Sequence, residues 1–190
     1  DKFKLEGIKI DCLLIIIECY LNTGEIHKAL EYEKELKSAN CNTEKTISKN
    51  LLIAKLYNNS SREKEAFDLL LKIEKNKKLD SGQQVQLKLL LAEIYDYKEE
   101  DELAFEIYNT LLSDSNLKNE IKTNILSKLA DLYLQHGDVE QANYNAVKGY
   151  DLAIQEKNFN HQAGFLYELI LICMERGDSD NFNRYEKYIQ

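Results

Sequence analysis

A chain of 190 residues with 44% hydrophobic and 31% charged side chains has the apolar content of one packed domain, which excludes a disordered chain. The absence of Pro and the presence of only seven Gly remove most helix breakers and predict helices throughout. The formal charge of −8 lies in the second half, since residues 1–95 carry 16 basic and 15 acidic side chains and residues 96–190 carry 9 and 18. Such a surface repels phosphates, so direct nucleic-acid binding by this segment is not expected.

Apolar residues at helical spacing predict ten helices in five pairs. In chain order the pairs are 6–22 with 25–39, 44–58 with 62–76, 81–97 with 100–113, 118–136 with 139–157, and 160–176 with 179–189. They align as repeats on Tyr20, Tyr57, Tyr95, Tyr133 and Cys173, at spacings of 37, 38, 38 and 40 residues. Four residues after each anchor stand Gly24, Ser61, Glu99, Gly137 and Gly177, where the turn between two helices needs a permissive backbone. Nine residues after the anchors a small side chain recurs as Ala29, Ala66, Ala104 and Ala142, with Phe182 in the last copy. Ser60 with Glu63, Ser81 with Gln84 and Asp138 with Gln141 have the spacing of capping boxes at the starts of helices.

Each residue advances about 100° around a helix, which assigns the faces of the first helix of every pair. Ile17, Ala54, Ala92, Ala130 and Ile170, with Ile16, Ile53, Leu91, Leu129 and Leu169, share the anchors' side and are predicted to be core. The opposite side is polar: Asp11, Glu18, Asn22; Ser48, Lys55, Asn59; Gln86, Glu93, Tyr97; Asn124, Asp131, Gln135; and, less so, Gly164, Leu171, Glu175. Stacked first helices would align these residues along one curved surface.

Cys12, Cys19, Cys41 and Cys173 lack metal-type spacing, and three of them fall in apolar helical patterns, so buried reduced thiols are expected. His27, His136 and His161 are far apart, which predicts helix-end or solvent-facing roles and no metal site. Lys72, Lys75, Lys77 and Lys78 suit the negative end of a helix, and Glu99, Glu100, Asp101 and Glu102 suit the positive end of the next. No phosphate-binding glycine loop and no nucleophile with a nearby base is present, so no enzymatic activity and no cofactor are predicted. The longest apolar run, Cys12 to Ile17, is too short to cross a bilayer, and a cytoplasmic location away from membranes is expected. A first residue of Asp1 suggests a piece of a longer protein.

The pattern Tyr20-x-x-x-Gly24-x-x-x-x-Ala29, echoed by Tyr133-x-x-x-Gly137-x-x-x-x-Ala142, resembles the tetratricopeptide repeat, without its usual Trp and closing Pro. That resemblance implies an all-α, right-handed solenoid over residues 1–190. The long Pro-free copies, as in Gly149-Tyr150-Asp151-Leu152-Ala153-Ile154 through Glu175-Arg176-Gly177-Asp178, are similar to the repeat domains of the Rap, NprR and PlcR group of bacterial peptide receptors. Similarity to that group implies an extended signalling peptide in a concave groove, Asn side chains that grip its backbone, and an upstream helix-turn-helix segment. Transcription regulation in quorum sensing, with switching through curvature or homodimer contacts, is the function expected on this basis. The alternative is a constitutive protein-interaction scaffold without a switch.

The groove residues expected are Lys55, Asn59, Glu93, Tyr97, Asn124, Asp131 and Gln135. Each Asn amide offers both a donor and an acceptor to a peptide backbone, although a solvated polar residue in an Asn-rich chain is the commoner reading. Lys55, Glu93 and Asp131 could select a charged ligand or form exposed ion pairs of little energy. Tyr97 is open to ligand stacking, whereas packing between helices is expected for Tyr167.

Overall fold

A computed structural model describes residues 2–40, 43–75 and 78–188. It is all-α, with no strand among the described residues. The helices are α1 (Lys2–Asn22), α2 (Ile26–Glu31), α3 (Glu33–Ser38), α4 (Thr43–Asn58), α5 (Glu63–Glu74) and α6 (Ser81–Tyr97), then α7 (Asp101–Leu112), α8 (Asn119–Gln135), α9 (Val139–Gln155), α10 (Phe159–Arg176) and α11 (Ser179–Glu186). No helix among the described residues is long and apolar enough to cross a membrane.

Two compact units are formed, Asp1–Glu100 and Asp101–Gln190. Their boundary divides the third predicted pair, leaving α6 in the first unit and α7 in the second. In the first unit α1 packs on α2, α3 and α4, and α4 packs on α5 and α6. In the second, α8 packs on α7, α9 and α10, and α10 also packs on α9 and α11.

Every anchor ends its helix in the same way. The carbonyls of Tyr20, Tyr57, Tyr95, Tyr133 and Cys173 accept the N–H groups of Glu25, Arg62, Glu100, Asp138 and Asp178 at 2.9, 3.0, 2.9, 2.9 and 2.9 Å. Such a bond, from five residues ahead, requires one left-handed residue between donor and acceptor. Gly24, Ser61, Glu99, Gly137 and Gly177 provide it, with φ of 73, 56, 60, 73 and 66°. The turn closes the chain back on itself and delivers Ala29, Ala66, Ala104 and Ala142 into full burial. Of the ten apolar positions before the anchors, Ile16 and Ile170 are half-buried and the other eight are buried.

Local chemistry moved several boundaries. The predicted helix 25–39 breaks at Tyr32, whose N–H bonds to the carbonyl of Ala29 at 3.2 Å, a tightened turn, while its ring stacks on Tyr20 with centroids 6.1 Å apart. The cap of α6 is Asp80 rather than Ser81: its carboxylate accepts the Gln83 N–H at 2.8 Å and Gln83 Oε1 accepts the Asp80 N–H at 3.3 Å. With Asp80 as the cap the helix begins at Ser81, the predicted first residue, and only the identity of the cap changes. Ser60 does not cap α5, because its hydroxyl is turned back to the Tyr57 carbonyl at 3.2 Å. Asp138 does accept the Gln141 N–H, at 3.1 Å.

The thiols also require correction. Cys173 is buried, but Cys12 and Cys19 are exposed. They lie seven residues apart on the side of α1 away from buried Ile10, Leu13 and Ile17, which face α2, α3 and α4. Cys41 and Lys77 lie outside the described residues.

The core of the second unit joins Leu126, Ala130, Ala142, Ala146, Phe165, Leu169 and Ile172 from α8, α9 and α10. Gly149 makes that packing possible: a Cβ there would stand 2.1 Å from Phe165 Cζ. Burying the Phe165 ring contributes about 1.5–3 kcal/mol, and Gly149 leaves the space for it.

Candidate polypeptide-binding faces

Side-chain bonds join neighbouring first helices in both units. In the first, consecutive first helices are tied by polar rungs one repeat apart. Lys45 Nζ reaches Asp11 Oδ1 at 2.6 Å between α4 and α1, Gln83 Nε2 reaches Ser48 Oγ at 3.2 Å between α6 and α4, and Asn58 Nδ2 reaches Glu93 Oε2 at 3.2 Å farther along the same pair. Asp11, Ser48 and Glu93 therefore serve the contact between helices as well as the surface. Such pairs replace water contacts and each adds modest net stability.

Lys55 is half-buried on α4, and Asn59 is exposed in the turn beyond it. The structure joins them through the backbone: Asn59 Nδ2 donates to the Lys55 carbonyl at 2.8 Å and satisfies one of the helix's last acceptors. Part of the hydrogen-bonding capacity expected for a ligand is thus used locally. Glu93 is half-buried, whereas Tyr97 at the end of α6 is 67% exposed.

In the second unit Asn124, Asp131 and Gln135 are all exposed on one face of α8. Across the α8–α10 contact, Tyr167 is 62% exposed, which overturns the packing role expected for it. Its ring extends from α10 beside Glu168, and the inward positions are occupied by Phe165, Leu166 and Leu169. An exposed amide, an exposed carboxylate and an exposed ring on neighbouring first helices can offer hydrogen bonds, charge and a stacking surface to one extended ligand.

Glu168 and Ser127 were not anticipated. Ser127 Oγ lies 2.5 Å from Glu168 Oε1, at the seam between α8 and α10. The signal was present as the single acidic residue in Phe165-Leu166-Tyr167-Glu168-Leu169-Ile170-Leu171. What the residue would meet depended on which stretch of α8 lay against it.

The second unit has another concavity. A groove of about 860 Å³ is lined by Leu112 of α7, Asn119, Lys122 and Leu126 of α8, and Tyr144, Val147, Lys148 and Asp151 of α9, among others. Helical geometry puts Lys122 and Leu126 on the side of α8 opposite Asn124 and Asp131.

His136 closes α8 and pairs with Asp101 Oδ2 at 2.7 Å, and His161 bonds to Asn158 at the start of α10. Among the described residues no group of three or more His, Cys, Asp or Glu is placed to hold a metal ion.

The family model that matches, over residues 18–146, is described as a protein of unknown function, DUF2989. Its span exceeds half of the chain, and the chain belongs to that family. Curated proteins and solved structures gave no match.

Proposed function

We propose that the chain is a polypeptide-binding helical repeat, with the polar faces of its first helices as the binding surface. The five-pair, tetratricopeptide-like solenoid belongs to this reading. The observation that carries it is the five-fold recurrence of one helix-ending turn, which gives successive helices the same orientation of core and polar sides. A repeated polar face without a catalytic constellation suits recognition of an extended chain, whose backbone amides need partners once water is displaced. In the second unit that role falls to Asn124, Asp131 and Gln135 with Tyr167; in the first, to Lys55, Asn59, Glu93 and Tyr97. The finer role is that of the peptide-sensing part of a bacterial regulator, in the cytoplasm.

Calorimetry against short peptides taken from the source cell's secreted pro-peptides tests this. A peptide should bind, and Asn124→Ala with Tyr167→Ala should weaken it at least about tenfold, or 1.4 kcal/mol, while the helical spectrum is unchanged. Undiminished affinity in the double variant would reject the face.

A constitutive scaffold is the second reading, and the 860 Å³ groove beside α9 favours it, since Leu112, Tyr144 and Val147 offer apolar contact away from the polar faces. Binding lost on Tyr144→Ala but kept in the first double variant would select it.

A further inference from the structure

The second unit holds one carboxyl whose surroundings suit the acid better than the anion. Glu168 lies on α10 with Oε1 against Ser127 Oγ of α8. Its Oε2 is buried and meets no hydrogen-bond partner among the described residues. The charged groups that act on it both come from α8: Asp131, which opposes a second negative charge, and exposed Lys128, which offsets part of that effect. A neutral acid donates its O–H to Ser127 Oγ and leaves a carbonyl oxygen on the unpartnered side, where a missing bond costs least. An anion spreads charge over both oxygens, and one of them has no donor.

We propose that Glu168 is a proton-operated latch between α8 and α10, closed when the carboxyl is protonated and loosened when its proton passes to water. The seam it controls carries Asn124, Asp131 and Tyr167, so opening the latch would disturb that face. Burial pushes the carboxyl up to about 7 against the Ser127 hydrogen bond, with Asp131 adding to the rise and Lys128 opposing it. The latch depends only on the α8–α10 seam and stands whether or not the polar face binds a peptide.

The test follows the side-chain carboxyl carbon of Glu168 by NMR through a pH titration of the full chain. Amide hydrogen-exchange protection of α10 is compared at about pH 5 and about pH 9, outside the range in which the carboxyl changes state. The carboxyl should titrate close to neutrality, with α10 losing protection at the higher pH. Glu168→Gln, of the same shape and always neutral, should keep its protection at both. Ser127→Ala removes the bond across the seam and should lower the protection of α10 at both pH values. A wild-type midpoint near the ordinary glutamate value, or equal loss of protection in Glu168→Gln, overturns the proposal. Should Glu168→Gln fail to fold, the wild-type midpoint decides.

Discussion

Glu33 of the first unit and Glu168 of the second are both carboxylates set against a neighbouring helix, yet their pKa values shift in opposite directions. Glu33 receives Tyr57 Oη at 2.6 Å, Lys37 Nζ at 2.6 Å and Arg62 Nη1 at 3.0 Å. Burial pushes its pKa up, but the hydrogen bonds from Lys37 and Tyr57 and the charges of Lys37 and Arg62 outweigh it and hold the carboxyl below the ordinary range. Arg62 also lies 3.8 Å from the Tyr57 ring centroid, so the group that pairs with the carboxylate is itself held in place. Among the described residues Glu168 has one hydrogen-bond donor, Ser127, and the charge of Lys128 is opposed by that of Asp131, so there burial prevails. The donors aimed at a carboxylate, set against the depth of its burial, decide which form the fold prefers.

The largest effect should come from crowding the second unit. Gly149→Ala sets a methyl against the Phe165 ring and is expected to cost roughly 3 kcal/mol, the upper part of the usual overpacking range, in a urea titration. Ala130→Leu, fully buried in the same core, should cost about 1 to 3 kcal/mol.

In the first unit, Glu33→Gln removes the anion that Arg62 and Lys37 face and should cost about 1 to 2 kcal/mol at neutral pH. The pH responses differ in sign. Glu33, with its folded pKa depressed, contributes stability that is present above the ordinary value of 4.5 and lost as pH falls through the folded pKa. Glu168, with its folded pKa raised, contributes stability that is present below 4.5 and lost as pH rises through about 7. Unfolding curves across pH should therefore show an acid-side loss that Glu33→Gln reduces and a loss towards neutrality that Glu168→Gln removes. If one variant flattens both limbs, the two carboxylates are not independent.

The smallest effect is expected at Lys55. Its side chain is half-buried, and only its carbonyl is used by Asn59, so Lys55→Ala should stay within about 0.5 kcal/mol. A cost equal to that of Ala130→Leu would mean that the core and polar faces of α4 and α8 are not equivalent.

The sequence by itself determined what depends on a few consecutive residues. A left-handed residue four places after an anchor permits a bond from the fifth N–H back to the anchor's carbonyl, and all five turns could be found because that geometry is local. The helical period likewise placed Ile17, Ala54, Ala92 and Ala130 in the core and Asn124 and Asp131 on the surface. Tertiary structure alone decided which residues meet across a repeat. Tyr167 is exposed although it stands in an apolar run, Cys12 and Cys19 lie on a side of α1 that α2, α3 and α4 leave open, and Gly149 is needed for the ring of Phe165. Glu168 meets Ser127 across 41 residues of chain, and its proton affinity follows from that meeting. A periodic pattern specifies direction around one helix axis, whereas desolvation and hydrogen bonding depend on the relative position of two axes, which packing sets.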